Sequence, residues 1–125
     1  MKTTILFICT LLISSFTLIA AEAPKSESMI LETLLITTQD NDLIKFESVC
    51  DDGMKEAIKE EDLKQVSAQL SALMKQGYKK VYMGMLDRGA FNTYLWKIDF
   101  DKDGVPEMLA ELSTSNNKVV GFYIR

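Results

Sequence analysis

The hydrophobic period changes once along the chain, near Gly77, and that change limits the fold more than any other feature. Before it, apolar residues recur every three or four positions. Ile30, Leu31, Leu34 and Leu35 form one such set, and Leu43, Phe46, Val49 and Cys50 a second. Leu63, Val66, Leu70, Leu73 and Met74 form the third. This spacing lines one face of a helix. After Gly77 the period is two: Tyr94, Trp96, Ile98 and Phe100 alternate with Thr93, Lys97 and Asp99. Val81, Met83 and Met85 alternate likewise, as do Met108, Ala110 and Leu112, and then Val120, Phe122 and Ile124. Alternation puts each set on one face of a strand. Helices that precede strands, rather than interleave with them, predict an α+β domain. Its N-terminal helices cover one face of a four-stranded antiparallel sheet.

The punctuation fits three helices. Asp40 or Asn41 can cap the second, and Asp51-Asp52-Gly53 breaks it before Met54, Ala57 and Ile58. Glu60, Glu61 and Asp62 favour the N-terminal dipole of the third, and Gly77 suits the left-handed position after its end. Turns are expected at Asp87-Arg88-Gly89, Asp101-Lys102-Asp103-Gly104 and Asn116-Asn117.

Residues 1–21 read as a secretory signal peptide. Lys2 gives a positive start, the run from Ile5 to Ile19 has no charge, and small residues follow at Ala20, Ala21 and Ala23. The run is short for a span, and no basic stop-transfer cluster follows it. Cys9 sits too early, behind the bulky Ile8, for a lipoprotein site. Residues 22–28, polar and interrupted by Pro24, read as a flexible leader, and 29–125 as the folded domain. The expected location is periplasmic or secreted, with no membrane attachment after cleavage.

Composition removes several function classes. The 125 residues include no His, so no imidazole can serve as base, nucleophile partner or metal ligand. Two Cys cannot build a Cys-rich zinc site or an iron–sulfur cluster. A net charge of -4 argues against nucleic-acid binding, which needs clustered Lys and Arg. Cleavage would leave Cys50 as the sole thiol, without an internal disulfide partner. Its helical spacing from Phe46 makes it core filler, and Asp51 and Asp52 oppose a thiolate there.

A helix ending near Gln39, a short helix with Phe46, then Met54–Ile58, the Leu63–Gly77 helix and a closing Lys118-Val119-Val120-Gly121-Phe122-Tyr123-Ile124 strand follow in order. In this the chain resembles small exported bacterial members of the nuclear-transport-factor-2-like, cystatin-like superfamily, including families of unknown function. The resemblance implies a curved sheet wrapped around helices as a cone with a cavity. It implies no activity, because enzymes, ligand binders and assembly modules share that fold.

Within such a cone, Tyr78, Tyr82, Tyr94 and Trp96 are the candidate ligand-binding residues, offering apolar area with a polar tip. Ordinary core packing is the alternative for each. Asp99, Asp101, Asp103 and Glu107 have the alternate spacing of a Ca²⁺ loop, with Gly104 for a sharp turn. A plain hairpin accounts for the same residues, so no metal and no cofactor are expected. Asp99 and Glu111 are the one carboxylate pair that a hairpin could bring together, and no catalytic residue is assigned.

The leading expectation is an exported, non-enzymatic domain that binds a small ligand or a partner protein through a cavity or its sheet face. One alternative is a lyase or isomerase using a pocket carboxylate and Tyr. Another is a structural module that homodimerises through an outer sheet face carrying Leu95, Leu109, Val119 and Tyr123.

Overall fold

The structure is a computed structural model in which residues 22–125 are described. The expected signal peptide, Met1–Ala21, lies outside the described residues. Four helices come first: α1 (Lys25–Asp40), α2 (Leu43–Glu47), α3 (Asp52–Ala57) and α4 (Glu60–Lys75). Four strands follow: β1 (Tyr78–Asp87), β2 (Asn92–Phe100), β3 (Met108–Ser115) and β4 (Lys118–Ile124). The strands form one antiparallel sheet in the order β1-β2-β3-β4. The fold is α+β with helices packed on a four-stranded antiparallel sheet that is curled but not closed.

Packing follows the two periods. Leu31, Leu34 and Leu35 from α1 and Leu63, Leu70 and Met74 from α4 are buried against Trp96, Ile98, Phe100, Ala110 and Leu112 of the sheet. Each fully buried Leu or Phe contributes roughly 1.5–3 kcal/mol relative to exposure. Gly77 ends the helical layer with φ +105. A Cβ there would lie 2.2 Å from Asp101 Oδ2, so the position needs glycine for both conformation and space.

Local chemistry departs from the sequence expectation in several places. Helix α1 starts at Lys25, so most of the expected leader is helical. Pro24 precedes the first turn with a compatible φ of -55, its carbonyl accepts from Ser28 N–H, and the first turn carries Glu27. The break expected at Asp51-Asp52-Gly53 does separate α2 from α3, but α2 stops at Glu47, short of Val49 and Cys50. Asp42, rather than Asp40 or Asn41, caps α2 through Lys45 N–H, while Asn41 takes the left-handed position that ends α1. Asp51 caps α3 through Met54 N–H at 2.7 Å. In α4, Asp62 accepts from Lys59 N–H.

Two bulges reset strand faces. Tyr82 opposes Trp96 and Gly84 opposes Leu95, which leaves Met83 as an extra residue in β1. Val81, Met83 and Met85 are therefore not a common core face, and all three are exposed. Thr114 opposes Val119 and Ser113 opposes Gly121, so Val120 is the extra residue in β4. The bulge turns Val119 inward, where it is 0% exposed, and removes it from the expected outer apolar face.

Candidate functional site

The first turn of α1 meets the sheet where the β1–β2 and β3–β4 turns come together. Glu27, only 6% exposed, is held there. One carboxylate oxygen accepts from Ser26 Oγ, and the other accepts a long 3.5 Å bond from Thr114 Oγ1 of β3. Among the described residues no Lys or Arg forms an ion pair with it. Burying a carboxylate is costly unless its lone pairs are filled, and two hydroxyls fill only half of about four. Glu27 was hidden in the polar stretch read as a leader. Its spacing of three, four and seven residues from Ile30, Leu31 and Leu34 is the signal that could have found it.

Three of the four candidate aromatics gather beside this turn. Trp96 is buried, with its ring centroid 5.3 Å from Tyr82 and 6.3 Å from Tyr94. Tyr78 is elsewhere, 6.4 Å from Phe100 at the other end of β1. Two recesses adjoin the first turn of α1. One, of about 290 Å³, is lined by Glu27, Tyr94, Thr114, Asn92 and Phe91 among others. The other, of about 580 Å³, includes Tyr82, Trp96, Lys80 and Leu31. Burial raises the Tyr82 phenol above its ordinary value, and Tyr94 and the Glu27 charge raise it further. Burial, then Glu32, does the same for Tyr78.

A third recess, of about 440 Å³, runs between α3, the start of α4 and β4. Met54, Ile58, Val66, Phe122 and Ile124 give it apolar walls. No local sequence pattern points to it, because its walls come from elements far apart along the chain.

The other sequence candidates disperse. Asp101 sits against Gly77, Glu107 pairs with Lys97 at 3.5 Å, and Asp99 opposes Lys79. Among the described residues no three His, Cys, Asp or Glu side chains gather as a metal site. Asp99 and Glu111 are not cross-strand neighbours: Glu111 opposes Leu95 and is engaged by Arg125. Cys50 is buried, its thiol 3.3 Å from the Phe46 carbonyl. Burial, with Glu47 and Asp51 nearby, pushes that thiol up to about 11. It is a poor nucleophile at neutral pH.

No protein-family model matches the chain, and neither a curated protein nor a solved structure matches it.

Proposed function

We propose that this is an exported, non-enzymatic binding domain of the nuclear-transport-factor-2-like kind. Its ligand is a small molecule bearing an ammonium or other strong N–H donor. The order of helices before a curled antiparallel sheet supports the fold assignment. The observation that carries the ligand reading is Glu27: a buried carboxylate with spare acceptor capacity, opening on a small recess with Tyr94 and Thr114. A cation there would gain a charge-assisted hydrogen bond in a site partly shielded from water. Tyr94 and Phe91 add aromatic surface suited to a cationic group. Export rests on the uncharged run from Ile5 to Ile19 and the small residues after it.

Thermal denaturation with methylammonium, ethanolamine or putrescine, each against matched sodium chloride, tests this. At about a hundredfold excess over Kd, a bound amine stabilises by roughly 2.7 kcal/mol, a rise of several degrees. The rise should vanish in Glu27→Gln. No amine-specific rise, or one equal in Glu27→Gln, contradicts the reading. Glu27 beside Tyr94 also favours a second reading, general acid–base chemistry by a carboxylate and a phenol. Solvent deuterium incorporation into a small carbonyl compound, lost in both Glu27→Gln and Tyr94→Phe, would establish it in place of simple binding.

A further inference from the structure

We propose that two copies of this chain join through β1, edge to edge and antiparallel, with Lys80 of each copy opposite Asp87 of the other. Among the described residues β1 pairs only with β2, so its second edge presents unpaired backbone groups over a ten-residue strand. Val81, Met83, Met85 and Leu86 are exposed along it, Met83 by 62%. An open, apolar edge of this length is a template for another strand.

The bulge at Met83 fixes how a second copy fits. Residues directly opposite in an antiparallel pair must share a sheet face. Before the bulge, Lys80 and Tyr82 share a face with Ile98 and Trp96, while Val81 lies on the other face with Lys97. After it, Met85 and Asp87 share the first face, through Tyr94 and Asn92, and Gly84 and Leu86 take the second. In an unbulged strand, two-fold self-pairing joins positions an even number apart. The extra residue here makes that number odd.

Two registers that use the length of the strand keep the faces matched. One joins Lys80 to Asp87, Val81 to Leu86, Tyr82 to Met85 and Met83 to Gly84. The other sets Lys79 on Leu86, Lys80 on Met85 and Tyr78 on Asp87, which leaves charges against apolar groups. Complementarity selects the first. By symmetry it makes two Lys80–Asp87 pairs, two aliphatic pairs and two methionine–tyrosine contacts. Glu32, 3.3 Å from Lys80, already steadies that ammonium. Gly84 has nothing within 4 Å of a Cβ position, which leaves room for Met83 of the second copy. The like-charged meeting of Lys79 with Arg88 falls at the strand end, where both are exposed and salt screens them.

Sedimentation equilibrium of the purified protein across micromolar to submillimolar concentrations should show reversible monomer–dimer exchange. Asp87→Lys and Lys80→Asp should each weaken it about tenfold, and the double variant should recover most of the loss. Oxidation of Val81→Cys/Leu86→Cys should give a covalent dimer faster than oxidation of Lys79→Cys/Leu86→Cys. A monomer at every concentration overturns the proposal, as does a dimer indifferent to both charge reversals. Failure of the double variant to recover, or faster cross-linking of the second cysteine pair, overturns the register.

Discussion

At the start of β4 the chain covers its own sheet edge, whereas at β1 the described chain leaves the edge open. Beyond β4, Val119 N–H donates to the Val49 carbonyl at 2.8 Å, and Asp51 N–H donates to the Val119 carbonyl at 2.9 Å. The short connection between α2 and α3 thus acts as a strand fragment, bridging Cys50 to Val119 in parallel. Both of those side chains are buried. Beyond β1 the described chain supplies no such cover, and four large apolar side chains face solvent. Both strands carry a bulge, so a bulge by itself does not mark an edge as protected. What differs is the covering: a local segment at β4 and, under our proposal, a second copy at β1.

The strongest way to break this contrast is to place the same charge at each edge. Val119→Asp buries a carboxylate beside Cys50 and should cost about 4 kcal/mol or more, or prevent folding, as read by urea denaturation. The milder Val119→Ala should cost roughly 2 kcal/mol. Val81→Asp should change the stability of the dilute protein by less than about 0.5 kcal/mol while abolishing self-association. Equal costs at the two sites would remove the distinction.

A smaller effect sharpens the covered side. The Cys50 thiol is raised from 9.0 in its unperturbed state to about 11 in the fold. The folded state therefore holds its proton more tightly than the unfolded state. The resulting stability is fully present below pH 9 and is lost as pH rises towards 11, on the order of 2–3 kcal/mol in all. Tyr78 and Tyr82, also raised, lose stability in the same direction at the alkaline end. Denaturation midpoints should fall between pH 9 and 11, and less steeply in Cys50→Ala. An unchanged slope in that variant would show that Cys50 is not the group responsible.

Much of the fold was legible because period and burial agree over long runs. Leu63, Leu70 and Met74 mark the buried side of α4, and Tyr94, Trp96, Ile98 and Phe100 mark that of β2. The misread strand faces of β1 and β4 have a common cause. A bulge inserts one residue without altering composition, so alternation continues on paper while the faces exchange. Plain alternation thus groups Val81 with Met85 and turns Val119 outward, where the bulges separate the first two and turn Val119 inward. The candidate site was only half legible. Tyr94 and Trp96 stand on β2, whose alternation is visible, whereas the alternation of Val81, Met83 and Met85 points Tyr82 to the opposite face from the one it takes beside Trp96. Glu27 stands in a polar stretch whose helical start depends on Pro24, and its burial depends on Thr114, 87 residues away.

Amide hydrogen exchange at two protein concentrations tests the contrast between the edges most directly, because each edge reports separately within one molecule. The amides of Val119 and Asp51 should be protected alike in dilute and concentrated samples, since the chain itself supplies their acceptors. Amides of β1 that do not bond β2 should exchange quickly when dilute and slow down as concentration rises. Exchange in β1 that ignores concentration, or concentration-dependent protection at Val119 instead, would contradict the account.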